Sequence, residues 1–597
     1  MERKGKKRRG MICFLAACLV FLCIGGCTRE SNEVESNTER PSMSMKEMLA
    51  DYTIIYPDGG TEGEGASANL LFKAFGSDLS KMPQSDWVKS GEKIPSGNHE
   101  ILIGQTNRQS SQTAVSRLEK ERDWSVSIED GEIVIAARND TAIVEATEYF
   151  IAIVLPASNS LYTPGFSYSY NHTYQLEQFF GMDPKSADIM YADERLEDAA
   201  ALLQDYLLER AGVRVNAEKD SGTIAFRIDA DMSREQYSVS RVGEGLQISG
   251  GSYVAVEEAV KSIVVNEKGG VAVGFSGDSS IPVTITDLRN REMELVWHDE
   301  FDSDTLNPKN WQLRDRMFGG SDIVSSSGER NIKLEDGKVI MRSWKEKNGT
   351  YSTHTTLTST GRMSFLYGYI EISARFEFKP GSFPSFWFQS APQHRTVDYM
   401  TEVDMFEPYF YGYMESAVHM WYLKQDESGF GSAYADYWCD PQRYTLDGFE
   451  DYRNYWNYKT MPELTAKQKA AIEEFNSKFH TLGFGWTPTE FYFTLDGEEV
   501  GCFDISENST LKWNLTNSSG NPDDEDYKNL VASGKQPHMD GLVNDAMFIN
   551  FTNWIGSNFR YDGFGVPDED AFPITFEVDW IRLYQKSGEG ALYYDYR

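Results

Sequence analysis

"GYIEISARFEFKPGSFPSFWFQS", residues 368–390, is followed by "TEVDMFEP", residues 401–408. Both runs are aromatic and apolar, and turn-forming Gly and Pro interrupt the first, which is the texture of short strands in an all-β fold. The second run places Glu402, Asp404 and Glu407 within six positions of an apolar stretch. Side chains on a strand alternate between faces, so Glu402 and Asp404 share one while Glu407 should point away. A β-bulge around Met405 and Phe406 would add the one residue needed to return Glu407 to that face. The alternative is a solvated strand edge in an acidic chain.

From Glu294 onward the sequence keeps this texture. "ELVWHDEFDSDTLNPKNWQL" opens the segment, "FHTLGFGWTPTEFYFTLDGEEV" follows the acids, and "FEVDWIRLYQK" closes it. Eleven of the 13 tryptophans lie after residue 290, a bias that suits stacking on flat rings or filling a sandwich core. Taken in order, these stretches resemble the family 16 glycoside hydrolases, over about residues 293–587. The resemblance implies a concanavalin-like β-jelly-roll that cleaves β-glucans or β-galactans, with E-V-D-M-F-E as the bulged E-x-D-x-x-E signature.

The chemistry calls for the same residue types. Retaining hydrolysis needs one ionised carboxylate to attack the sugar and one protonated carboxyl to protonate the leaving oxygen. Crowded acids in a partly dry cleft supply the difference, because they cannot all ionise. By the family's motif Glu402 is the nucleophile, Glu407 the acid and base, and Asp404 the neighbour that tunes them. The resemblance also implies sugar contacts at Trp387 and Trp486, and a role for His419, with Trp421 beside it, near a sugar hydroxyl or the nucleophile. No cofactor is required. A structural calcium is implied at Glu300, the Gly337 carbonyl and Asp579, which offer the oxygen donors that ion takes.

Departures bear on substrate. Ser373 stands where the family has an arginine, and residues 423–478 and 506–543 read as insertions, the first ending in a helix over 464–475. Loops of this kind shape sugar subsites.

The front half is duplicated. "YTIIYPDGG" (52–60) pairs with "ADIMYADER" (187–195), and the stretch at 123–150 matches that at 236–263, each reading strand, turn, strand, helix. Two α/β modules are expected, at 48–170 and 185–288, similar in pattern to the non-catalytic α/β domain of family 20 β-hexosaminidases. Neither carries a catalytic cluster, so spacing, docking or sugar binding is their expected role.

The first 27 residues read as an address. Lys4, Lys6, Lys7, Arg8 and Arg9 precede a short apolar run and "IGGC", resembling a bacterial lipoprotein signal in which Cys27 is lipidated. Residues 28–47 read as a flexible tether. Only Cys439 and Cys502 remain beyond the signal, too few for a disulfide framework. A net charge of -35 argues against nucleic acid and suits a neutral polysaccharide.

The expectation is a monomeric multidomain protein held on the outer face of a bacterial membrane only by its lipid. Its C-terminal all-β jelly roll follows the two α/β modules and acts as a retaining endo-β-glycosidase on a β-1,3- or β-1,3-1,4-glucan. A β-galactan hydrolase, a transglycosylase and an inactive carbohydrate-binding lipoprotein are the alternatives.

Overall fold

A computed structural model describes residues 43–595, apart from 96–98, 130, 159–164, 220, 267, 271–273, 304, 315–322, 410–411, 425–431, 451–461 and 556–570. The expected signal, Cys27 and most of the expected tether lie outside the described residues. The last part of that tether is ordered. Ser44 and Glu47 form a reciprocal capping box on the Met45–Met48 helix, and Met45 is fully buried in an apolar core. Ser-rich composition suggested a linker there, but the S-x-x-E spacing nucleates a turn whose apolar side has a core to enter.

The chain divides into two compact units, one reaching to Glu177 and including Tyr206–Arg214, the other made of Gln178–Asp205 and Val215–Arg597. The first contains a six-stranded sheet in the order Gln84–Ser85, Thr53–Tyr56, Glu100–Ile103, Glu132–Ala137, Trp124–Glu129, Ser167–Tyr170. Its first four strands are parallel and the rest antiparallel. The second unit contains a sheet with the same order and directions, from Ala217–Glu218 through Ile189–Tyr191, Ile224–Ile228, Gly245–Gly250 and Gln236–Val242 to Phe275–Asp278. In each, a side-chain cap starts the helix after the hairpin: Asn139 accepts from the Ala142 amide, Ser252 from that of Ala255.

The rest of the second unit is a sandwich of two eleven-stranded, mainly antiparallel sheets. One runs through Val339–Lys345, Ile574–Gln585, Gly368–Phe376, His480–Trp486 and Glu490–Leu495, and Glu292–Asp299 also pairs with Ile574–Gln585. The other places Met547–Ile555, Ser382–Ser390, Tyr399–Tyr409, Tyr413–Leu423, Ala433–Cys439 and Trp513–Asn517 side by side. Four of these are the tryptophan strand (Ser382–Ser390), the acid strand (Tyr399–Tyr409), the histidine strand (Tyr413–Leu423) and the insertion strand (Ala433–Cys439). Period-two alternation sends Phe386, Phe388, Val403, Val418, Met420 and Tyr437 into one large core between the sheets. The intervening residues of these strands face the other way, and the acids are among them.

Within the second unit the Tyr253–Val265 helix meets the sandwich through buried charge. His298 Nε2 lies 2.9 Å from Glu257, and its Nδ1 lies 3.1 Å from Glu300. Burial alone would lower the His298 pKa, but the two carboxylates raise it to about 9. Asp287, in the segment leading into the sandwich, accepts from Arg291 and from the Tyr492 hydroxyl. Among the described residues, Cys439 is buried and Cys502 exposed, and both are free.

Candidate active site

The acid strand carries the bulge. Its register against the histidine strand pairs Glu402 with His419 and Asp404 with Ala417, then skips so that Glu407 pairs with Glu415. Met405 and Phe406 therefore face Ser416 alone, two residues against one. Both bulged side chains enter the core, each 2% exposed, and Phe406 stacks on Phe376 at 5.1 Å. Ser416 donates its hydroxyl to the Met405 carbonyl at 2.6 Å, which satisfies a backbone acceptor that the ladder leaves over. As a result Glu402, Asp404 and Glu407 all stand on the face turned from the core.

Each acid has a different neighbourhood. The Gln389 amide donates to Glu402 at 2.8 Å. Burial raises the Glu402 pKa, with the His419 charge, the Gln389 bond and the Trp421 indole opposing it. Asp404 is held well above the usual carboxylate range by burial and then by the negative charges of Glu407 and Glu402. Burial, reinforced by Glu415 and Glu402, lifts Glu407 to about 8. Glu407, still protonated near neutrality, thus stands on the same face as Glu402, where a cation and two donors counter the effect of burial, a difference of surroundings of the kind that separates a general acid from a nucleophile.

His419 stands among these acids. Its Nδ1 lies 2.9 Å from Asp436 and its Nε2 3.4 Å from Asp404, while its ring stacks on Trp421 with centroids 5.4 Å apart and planes at 12°. Burial works to lower its pKa, yet Asp436, Asp404 and Glu402 together push it up to about 10. Donor atoms of Glu402, Asp404 and His419 all lie within 4.8 Å of one another.

Trp387 pairs with Asp404 on one side and Asn550 on the other, so it lies on the acid face. Its indole donates to Thr552 at 3.1 Å and leaves it 6% exposed. Trp421 is half-buried on the same face. Trp486 corrects the expectation of a sugar contact: it is fully buried in the sandwich core, donates to the Leu542 carbonyl at 3.0 Å and meets Phe365, Tyr367 and Phe491 edge-on. Nor does Ser373 bear on the acids. It lies on Gly368–Phe376 in the opposite sheet, between the core residues Ile372 and Ala374, and so points away from the sandwich interior.

The calcium positions do not fit the ion as arranged. Glu300 gives both carboxylate oxygens to Arg582, at 3.0 and 2.7 Å, and Oε1 also lies 3.1 Å from His298. Those two cations hold its pKa at about 2 against the effect of burial. Asp579 is raised, first by burial, with Lys338 opposing. A carboxylate already shared by two cations is a poor divalent ligand.

Sequence reasoning missed Gln389, Asp436 and the Glu415–Arg443 pair. Gln389 follows Trp387 by two residues, so the alternation that exposes one to the acids exposes both. Asp436 lies on the insertion strand, where Trp421 pairs with it. The residues expected as a first insertion contribute two strands of the acid sheet, Ala433–Cys439 and Gln442–Thr445, and the Ala466–Asn476 helix. The second contributes the Trp513–Asn517 strand and the helices Glu525–Ser533 and Asp540–Asn544.

No family model matches the chain. The glucan endo-1,3-beta-glucosidase A1 of Niallia circulans is 19% identical over 328 residues, 51% of this chain and 39% of that protein. The chain thus spans about two fifths of the curated relative it matches. Among solved structures, the endo-beta-1,3-glucanase from Pyrococcus furiosus is 17% identical, covering 51% of this chain and 98% of that one, with a TM-score of 0.34. The laminarinase from Flavobacterium sp. UMI-01 is 22% identical, covering 49% and 100%, with a TM-score of 0.32. A non-specific endo-beta-1,3(4)-glucanase from family GH16 is 19% identical, covering 49% and 91%, with a TM-score of 0.32. Over about half of its length the chain is similar to family GH16 glucanases.

Proposed function

We propose, from the premise that about half of this chain is a family GH16-like domain, that its acid cluster hydrolyses internal β-glycosidic bonds of a polysaccharide with retention of configuration. The observation that carries the reading is the Met405–Phe406 bulge, which sets Glu402, Asp404 and Glu407 on one face. Glu402 attacks the anomeric carbon while Glu407 protonates the departing glycosidic oxygen, giving a glycosyl ester on Glu402. Glu407, now ionised, takes a proton from water, which attacks the anomeric carbon and frees Glu402. Asp404, crowded between Glu402, Glu407 and His419, tunes the charge of the group, and Trp387 offers a ring face beside the sugar being cleaved.

The glucan named for the Niallia circulans relative makes a β-1,3-glucan the leading substrate, with mixed-linkage β-1,3-1,4-glucan beside it. The test is to incubate the full chain with defined β-glucans and β-galactans, sizing products and following the new anomeric proton by NMR. Short oligosaccharides first released in the β configuration support the reading. Monosaccharide release alone, or first products in the α configuration, would overturn it.

The anchor belongs to the same proposal: basic start, apolar run and Cys27 would tether the enzyme to a membrane, with the front sheets as spacers. Cys27→Ser should move the protein into the soluble fraction, and equal membrane retention counts against lipidation.

A further inference from the structure

We propose that Asp436 is a positioning residue of the acid cluster, fixing the His419 ring as an imidazolium against Asp404 and beside Glu402. Its effect on turnover rests on the glycosidase reading above, whereas the charge of the ring does not.

Both ring nitrogens face carboxylate oxygens, Nδ1 that of Asp436 at 2.9 Å and Nε2 that of Asp404 at 3.4 Å. A neutral imidazole has one N–H and one lone pair, so it would turn a lone pair on one of those anions. Only the imidazolium presents an N–H to both, in a hydrogen bond to Asp436 and an ion pair with Asp404. Stacking on Trp421 prevents the ring from tilting away from either partner.

Asp436 is an expensive residue to keep. It is 4% exposed, and while Oδ2 meets the ring, Oδ1 is buried without a hydrogen-bond partner. A buried carboxylate with so little support adds little to stability, which favours a role in orienting its partner. The groups facing the ring are Glu402 and Asp404 from the acid strand and Asp436 and Trp438 from the insertion strand, with Trp421 on its own strand. Glu402 feels the ring's charge, whereas burial, Glu415 and Glu402 dominate at Glu407. The ring therefore counters burial at Glu402 and not at Glu407, which sets the two ends of the cluster apart. Asp436 comes from the residues read as an insertion, so this division depends on a segment added beside the signature acids.

The experiment labels the eight histidines of the full chain with ¹³C and ¹⁵N, assigns His419 with H419Q, and compares the parent with D436N and D436E. The expected result is an imidazolium at pH 7.5 in the parent and D436E, and a neutral ring in D436N. In turnover, D436N should lose about tenfold or more of kcat/KM at pH 5 and no more than about threefold at pH 8, with D436E recovering most of the loss. A neutral His419 in the parent overturns the proposal, as does a D436N protein with an unchanged ring and an unchanged pH profile. The parent spectrum needs no variant, so the ring charge is measurable even if D436N does not fold. If no glycan is cleaved, the glycosidase reading fails while the NMR comparison still decides the role of Asp436.

Discussion

Glu407 and Glu415 are partners across the acid and histidine strands, and Arg443 binds Glu415 through Nε. Like charges directly opposite each other on a sheet are unfavourable, and here that repulsion helps to keep Glu407 protonated at neutral pH.

Glu415→Gln should therefore lower the pKa of Glu407. The acid must be protonated to act, so activity in the variant should fall at lower pH than in the parent. A loss of roughly three- to tenfold at pH 8, with little change at pH 6, is expected from kcat/KM profiles. An unshifted basic limb would show that Glu415 does not reach Glu407.

The bulge predicts unequal responses to single-residue changes. Inserting a residue after Asp404 turns Glu407 toward the core side and should cost about 10² to 10⁴-fold in turnover. Deleting Met405 leaves E-x-D-x-E, in which a regular strand keeps all three acids together, so residual activity should survive a loss of roughly 2 to 5 kcal/mol in stability from the missing core side chain. Ser416→Ala, which strands the Met405 carbonyl, should cost about 1 to 3 kcal/mol in urea denaturation.

Two tryptophans should separate cleanly. Trp486→Ala empties a core position and is expected to cost about 3 to 5 kcal/mol, with turnover per folded molecule near that of the parent at low temperature. Trp387→Ala should spare more of the stability and raise KM or lower kcat by roughly tenfold or more on oligosaccharides. Calorimetry beside kinetics distinguishes the two, and the reverse pattern would refute the assigned faces.

His298 links stability to pH. Its folded pKa of about 9 lies above the ordinary value of 6.5. Its contribution is thus fully present below about 6.5 and disappears as pH rises through about 9. The melting temperature of the parent should drop over that interval more than that of His298→Gln. A chain trimmed to begin at 288 loses Glu257 from His298 and Asp287 from Arg291 and Tyr492, so it should melt lower than the full chain at pH 7.

The spacing of the acids was enough to locate the bulge, because strand alternation leaves only one way to bring Glu407 to Glu402. The face of Trp387 was also legible, and a signal for that of Trp486, expected at a sugar and found in the core, was present in the sequence but not used. Trp387 sits between Phe386 and Phe388, while "LGFGW" alternates Leu482, Phe484 and Trp486 with glycines. Those glycines are required, since a Cβ on Gly485 would come within 1.9 Å of the Tyr492 ring. That alternation marks a strand with one apolar face and one face covered by a tyrosine, and Trp486 belongs to the apolar side. Asp436 was beyond reach. Its place beside Trp421 depends on the register between two strands joined through residues 425–431, and composition does not fix a register. Ser373 misled for a related reason, since neighbouring strands in sequence, Gly368–Phe376 and Ser382–Ser390, belong to opposite sheets.

The strands that complete both sheets come late in the chain. Ile574–Gln585 lies between Val339–Lys345 and Gly368–Phe376, and Met547–Ile555 lies between Thr356–Thr358 and Ser382–Ser390. During synthesis the acid strand therefore leaves the ribosome well before the strands that join its sheet and the sheet behind it to their earlier halves. Such non-local closure slows folding. Until residue 585 has emerged, the layer opposing Phe386 and Phe388 lacks the strand that joins its two halves, and part of that apolar side would be open to capture by chaperones. A nascent chain stalled anywhere between 410 and 570 would then hold every signature acid and still lack a working cleft.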